Sequence, residues 1–242
     1  MTGFTQSRWA KPDFSQGYRD NADLFIVERQ RMLSILQSFY VNFVRDGTPK
    51  RMLDLGCGDG IVTAAIAEVD PALAATLVDG SPEMLTKAED RLRGLAGLRI
   101  IQASFEGLTT ANLSNAGYDF IASSLAIHHL AMAGKSALFE LIHSQLKPGA
   151  WFVNIDVILA PSDRLEQWYM HLWSDWIVDR KRGLNIPGDQ FNDIPRQYKD
   201  NQDNKPDTLP DQLEAMAKIG FLEVDCFYKY GIFAIFGGRR AT

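Results

Sequence analysis

The stretch Met52-Leu53-Asp54-Leu55-Gly56-Cys57-Gly58-Asp59-Gly60 decides the fold. It reads as an apolar strand that breaks into a glycine turn and opens a helix at Ile61. Glycines at 56, 58 and 60 let the backbone approach a nucleotide-like ligand closely, where a Cβ would collide. Further on, Ala75-Thr76-Leu77-Val78 is a second strand, ending at Asp79-Gly80. A carboxylate at the end of the second strand is where a β-α-β unit holds a ribose, accepting hydrogen bonds from its hydroxyls.

Outward from this unit, strands alternate with helices. The pattern predicts strand 51–55, helix 60–68, strand 75–79, helix 81–93, strand 98–102, strand 118–123, helix 130–146 and strand 150–157. That alternation calls for a parallel sheet with right-handed crossovers. Ser81-Pro82-Glu83 starts its helix with a serine cap and a proline in the first turn. Upstream, residues such as Leu24, Met32, Leu36, Phe39 and Phe43 recur at helical spacing from about Asp23 to Val44, with Asn21 as the cap. Residues 1 to 20, with Trp9, Phe14 and Tyr18, read as irregular. Downstream, the run from Pro161 to Pro210 breaks the rhythm. It opens with an aromatic helix bearing Trp168, Tyr169, Trp173 and Trp176. It continues as a polar loop from Gly183 to Thr208, long enough to be functional or mobile. We expect it to be a mobile cover over the ligand pocket. A helix at 208–219 and strands at about 222–229 and 232–237 follow, the last pair close enough for a hairpin.

The chain of 242 residues is long enough for one sizeable α/β domain. It has no stretch of 18 uninterrupted apolar residues, so no membrane span is expected. Met1 to Phe14 lacks the apolar core of a signal peptide, which makes a cytoplasmic location the default. Cys57 and Cys226 suggest neither a disulfide framework nor a metal cluster. The net charge of −5 argues against a general nucleic-acid binder without excluding a local basic patch. Arg180-Lys181-Arg182 reads as a solvated helix end.

Asp54 with Gly56, Gly58 and Gly60, then Asp79, resembles the first two motifs of the class I S-adenosylmethionine (SAM)-dependent methyltransferases. The resemblance continues through Tyr118-Asp119-Phe120-Ile121-Ala122-Ser123, Ile127-His128-His129-Leu130, Leu146-Lys147-Pro148-Gly149-Ala150 and Gly220-Phe221. A nicotinamide dehydrogenase would need G-x-G-x-x-G, and Ile61 occupies its last position. The resemblance implies an α/β, Rossmann-like sheet of seven mostly parallel strands. It also implies an antiparallel last strand, helices on both faces and a helical or loop cap. It implies a single methyltransferase domain over 1–242: an N-terminal helical extension 1–45, a SAM-binding core 46–157, a cap insertion 161–210, and a C-terminal helix and strands 211–242.

Most recognisable residues should then be SAM contacts. Gly56, Cys57 and Gly58 are expected at its methionyl end, Asp79 at the ribose diol, and Gly80 and Met84 beside the adenosine. Ser104 stands where the family often has an acid for the adenine amino group, and Phe105 can pack against the ring. Ser123 is expected near the methionine portion. Of the two adjacent histidines, which cannot face one pocket equally, His128 is expected to face the acceptor as the catalytic group. His129 is expected in the core. Trp168, Tyr169, Trp173 and Tyr198 are candidate acceptor contacts, since an aromatic lining suits an organic acceptor. His143 and His171 read as structural. His128 and His129 have no third ligand at useful spacing, and Asp156 is a lone carboxylate, so no metal is expected. The expected partner is a small-molecule acceptor, with no membrane and a monomer or homodimer. Two rivals remain. One is an enzyme that modifies the wobble uridine of tRNA with a carboxylated SAM, for which Arg196 and Lys199 could hold the extra carboxylate. The other is a non-catalytic SAM-binding protein.

Overall fold

Met52, Leu53 and Leu55 are sealed from water although consecutive strand residues face opposite sides. A central strand covered on both faces demands this. The computed structural model describes residues 22–113, 117–189 and 191–242. In chain order they form α1 (Ala22–Phe25), α2 (Arg29–Phe43), β1 (Arg51–Leu55), α3 (Ile61–Val69), β2 (Ala74–Asp79), α4 (Pro82–Arg91), β3 (Arg99–Gln102) and β4 (Tyr118–Ser124). There follow α5 (Met132–Gln145), β5 (Leu146–Val157), α6 (Asp163–Gly183), α7 (Ile194–Asp200), α8 (Leu209–Ile219), β6 (Leu222–Tyr230) and β7 (Phe233–Arg239).

The seven strands lie in the order β3-β2-β1-β4-β5-β7-β6. The pairs from β3 to β5 are parallel, and β7 runs antiparallel to both neighbours. Strand order reverses between β1 and β4, which opens a crevice at their carboxyl ends, where sheets of this kind place ligands. One face of the sheet packs Met52, Leu77, Phe120 and Ile155 with Tyr40, Ile66 and Ile177 from the helices. The other packs Leu53, Leu55, Ile121 and Phe236 with Phe139, Ile142 and Met216. Each such large side chain contributes about 1.5–3 kcal/mol by leaving water.

Local chemistry sets the helix ends. The Ser81 hydroxyl accepts from the Met84 amide at 3.3 Å with Pro82 in the first turn, and Ser162 and Thr208 cap α6 and α8 in the same way. The helix expected over 23–44 is interrupted. Glu28 adopts a left-handed conformation (φ 53°), which splits it into α1 and α2 and turns an elbow toward the crevice. Asn21, Trp9, Phe14 and Tyr18 lie outside the described residues. The run 183–208 is not a loop throughout. It contains α7, which starts with Pro195 in its first turn and packs Tyr198 edge-on to Trp173. Residues 203–208 then return beside the core, pinned by Lys135. That ammonium, fully buried on α5, binds the Asp207 carboxylate and the Lys205 carbonyl.

Candidate active site

The glycine turn is stitched to β2 by its own amides. Gly56 and Cys57 both donate to the Val78 carbonyl, at 2.8 and 3.0 Å. The next amide, of Gly58, donates to Asp79 Oδ2 at 2.9 Å, and the Ser81 amide donates to Oδ1 at 2.8 Å. Asp79 is thus aimed by backbone from both sides. Burial pushes its carboxyl above the usual range, against the pull of those amides. Gly56 has φ +64°, and a Cβ there would run into the Ala126 side chain and crowd the Phe105 ring at 3.2 Å. The close approach is therefore built in.

These residues border a cavity of about 380 Å³. Gly56, Cys57, Gly58, Asp79, Gly80, Met84, Ser104 and Phe105 all lie on its wall. Ser123 does not; its hydroxyl donates to the Leu55 carbonyl at 2.7 Å and ties β4 to β1, while its neighbour Ser124 faces the cavity. Burial pushes the Cys57 thiol up, so it sits there as a neutral group. Beneath the turn, Asp54 is fully buried. Thr63 donates to its Oδ2 at 2.7 Å, its Oδ1 has no partner, and burial raises its carboxyl to about 7.

Across the cavity, Leu125 closes the end of β4 with φ 52°, a strained value for leucine, and its amide bonds the Ile155 carbonyl at 2.8 Å. The chain then winds through a 3₁₀ turn carrying both histidines. Their placement differs from the sequence expectation. His129 is on the cavity wall, and its Nδ1 meets the Asp203 carbonyl at 3.2 Å. Burial, with the nearby His128 and Lys205, pushes it down to about 3, so it is neutral at physiological pH. His128 lies behind it, ring centroids 4.1 Å apart, with 8% of its side chain exposed. Its Nδ1 is 2.6 Å from Asp156 Oδ1, and its amide donates to Oδ2 at 2.9 Å. Asp156 also accepts from the Val157 amide at 2.9 Å and from Asn154.

The aromatic candidates are elsewhere. Trp168 points outward, 54% exposed. Tyr169 takes a hydrogen bond from Lys229 at 2.9 Å, and the Trp173 indole donates to the Phe25 carbonyl at 2.6 Å. Tyr198 packs between Trp173 and His128, with its hydroxyl buried and unpartnered. None of the four lies on the cavity wall. The wall opposite the glycine turn is aliphatic instead, from Ala22, Ile26, Leu125, Ala126, Leu130 and Ala131. Arg196 and Lys199 are also away from it, paired on the surface with Asp193 at 3.2 Å and Glu166 at 2.6 Å. Sequence reasoning missed Arg29 and Lys205 on the wall and Lys135 beneath it. A lysine inside the apolar stripe of α5 was the available signal for the last.

Residues 52–149 match the family model of a methyltransferase domain. Uncharacterized methyltransferases of Mycobacterium tuberculosis and Mycobacterium bovis are 33% identical over 122 residues, covering 50% of this chain and 57% of theirs. The chain thus spans little more than half the length of those relatives. A carboxy-S-adenosyl-L-methionine synthase of Chromohalobacter salexigens is 27% identical over 183 residues, 75% of this chain and 65% of that protein. In fold, an O-methyltransferase family protein from Burkholderia thailandensis superposes with a TM-score of 0.68 at 13% identity, covering 98% of this chain and 63% of the other. With the glycine turn, Asp79 and this sheet order in place, residues 52–149 match a methyltransferase domain, and the chain is similar in sequence to methyltransferases and in fold to an O-methyltransferase family protein.

Proposed function

We propose that this chain transfers a methyl group from SAM to a small organic acceptor whose reacting atom carries a proton, and that His128 takes that proton. The observation that carries the reading is the Asp156–His128 pair, stacked directly behind His129 on the wall of a cavity bordered by the glycine turn. The residues present fit the cofactor. Gly56 leaves a cradle that a Cβ would fill, and each Asp79 oxygen, already aimed by one amide, keeps a lone pair for a ribose hydroxyl. Gly56, Cys57 and Gly58 would hold the methionyl end, Gly80 and Met84 the adenosine, and Ser104 with Phe105 the base. Ser123 would act by fixing the β4 end from which Ser124 faces the cavity. When bound, SAM supplies an electrophilic methyl on a sulfonium.

The chain's own part is orientation and one proton. A carboxylate only accepts hydrogen bonds, so Asp156 keeps the proton of His128 on Nδ1 and leaves the lone pair on Nε2. Among the described residues no group bonds Nε2. Asp156 also steadies the imidazolium that forms when His128 accepts a proton. The aliphatic wall excludes water, which strengthens these interactions. The carboxylated-cofactor reading gains nothing from Arg196 and Lys199, which bond on the surface. The test is calorimetric titration with SAM and S-adenosylhomocysteine, then a metabolite extract incubated with methyl-labelled SAM. A labelled small molecule is expected. A protein that binds neither cofactor form refutes the proposal, and one that binds both but labels nothing fits a non-catalytic binder.

A further inference from the structure

Lys205 brings to the cavity wall a charge that the proposed transfer leaves unused. Its backbone is clamped from both sides. Its amide donates to the His128 carbonyl at 2.8 Å, and its carbonyl accepts from the buried Lys135 ammonium. The side chain therefore leaves a fixed root beside the histidine turn. It is near enough for its charge to help hold His129 neutral. Among the described residues its ammonium pairs with no carboxylate. The acids sharing the wall include Asp79, held by two amides, Asp59, paired with Arg91, and Glu106 beside Phe105, which forms no ion pair with Lys205. Asp203 stands two residues away on the same rim, and no ion pair links it to Lys205.

The electrostatics of the reaction give this cation a use. A sulfonium cofactor is itself positive, and a second unpaired cation on the exposed rim of the cavity disfavours its binding unless an anion enters with it. Arg29, the other cation on the wall, is already answered by Asp23 at 2.8 Å. Building on the methyl-transfer reading, we infer that Lys205 is a specificity-determining residue that selects an acceptor bearing a carboxylate. The carboxylate binds the ammonium while the proton-bearing atom lies at the histidine turn, where His129 is on the wall and the Asp156–His128 pair stands behind it. The aliphatic residues Ala126, Leu130 and Ala131 cover the carbon skeleton between them. A carboxylate in this cavity has a second source, the methionyl end of the cofactor, and the experiment separates the two.

The full chain is saturated with S-adenosylhomocysteine and titrated calorimetrically with malonate, malate, citrate and salicylate, each beside its neutral amide. At least one acid is expected to bind, with its amide weaker by about tenfold or more, the scale of one charge-assisted hydrogen bond. Lys205→Met should weaken that acid by a similar factor and leave S-adenosylhomocysteine affinity and melting temperature unchanged, because the side chain is exposed and its backbone carries the structural bonds. The inference is overturned if none of the four acids binds, or if acid and amide bind equally. It is also overturned if Lys205→Met weakens the cofactor instead, which would assign the ammonium to the cofactor's carboxylate. Failure of the wild-type chain to bind the cofactor at all is a separate readout and refutes the underlying methyltransferase reading.

Discussion

The cofactor half of the cavity draws mainly on two short runs, Gly56 to Val62 and Val78 to Met84, with Ser104 and Phe105 beside them. The half proposed for the acceptor collects Ala22 to Arg29, Ser124 to Gly134, and Asp203 with Lys205. The first half is held by neighbouring backbone: three turn amides bond Val78 and Asp79, across one strand pair. The second is held by side chains reaching far along the chain. His128 reaches Asp156, Lys135 reaches Asp207, and Trp173 reaches Phe25. A site made of adjacent backbone tolerates change around it, because its geometry is local. A site made of distant side chains depends on each link.

Four measurements bear on that contrast, and the largest effect is expected in the acceptor half. His128→Asn keeps a donor for Asp156 but removes the base. Turnover of the labelled acceptor should fall about 10²–10⁴-fold while cofactor affinity stays unchanged. A variant with unaltered turnover would leave the enzyme working by positioning alone. Next, Asp207→Ala strands the Lys135 ammonium in the core with only a carbonyl for company. Urea unfolding should show a loss of about 3 kcal/mol. A loss below about 0.5 kcal/mol, the usual scale of a surface change, would mean that the return segment is not pinned by this pair.

The other two measurements probe the cofactor half. Asp54 has a folded-state carboxyl raised to about 7 from an ordinary 3.8. The folded chain holds that proton more tightly than the unfolded one. Between about pH 4 and pH 7 the wild type therefore loses stability from this group as pH rises. Asp54→Asn removes the dependence, so its stability relative to wild type should improve by about 2 kcal/mol from pH 5 to pH 7.5. Parallel pH profiles for the two proteins would show that Asp54 is not the group responsible. Asp79→Ala should weaken S-adenosylhomocysteine by about tenfold or more. Unchanged affinity would remove Asp79 from the site and the main distinction between the halves.

The same contrast explains what could be read in advance. The turn, Asp79, and the strands through β5 are legible because consecutive residues encode them: glycine where φ is positive, apolar runs where both faces are buried, Ser81-Pro82 at a helix start. The histidines were separable only by tertiary contacts. Nothing in Ile127-His128-His129-Leu130 says that Asp156, 28 residues on, captures the first and the Asp203 carbonyl meets the second. The aromatics of α6 were legible as a group and not in direction, since Trp173 turns to Phe25 and Phe233 rather than to the cavity. Glu28 gave no local signal for its left-handed bend, and so the elbow that sets Arg29 on the wall went unseen.

The position of β7 between β5 and β6 has a consequence for the order of events in time. Asp156 and Val157 pair with Ala234 and Phe233, so the strand end that orients His128 is flanked by residues made well after it. A ribosome adding roughly 5–20 residues per second finishes the glycine turn, Asp79 and β4 well before residues 233–239 emerge. A nascent chain can therefore present its glycine turn while the strand end that bonds His128 is still unpaired. Cofactor capture can precede the pairing of the strand end that holds His128.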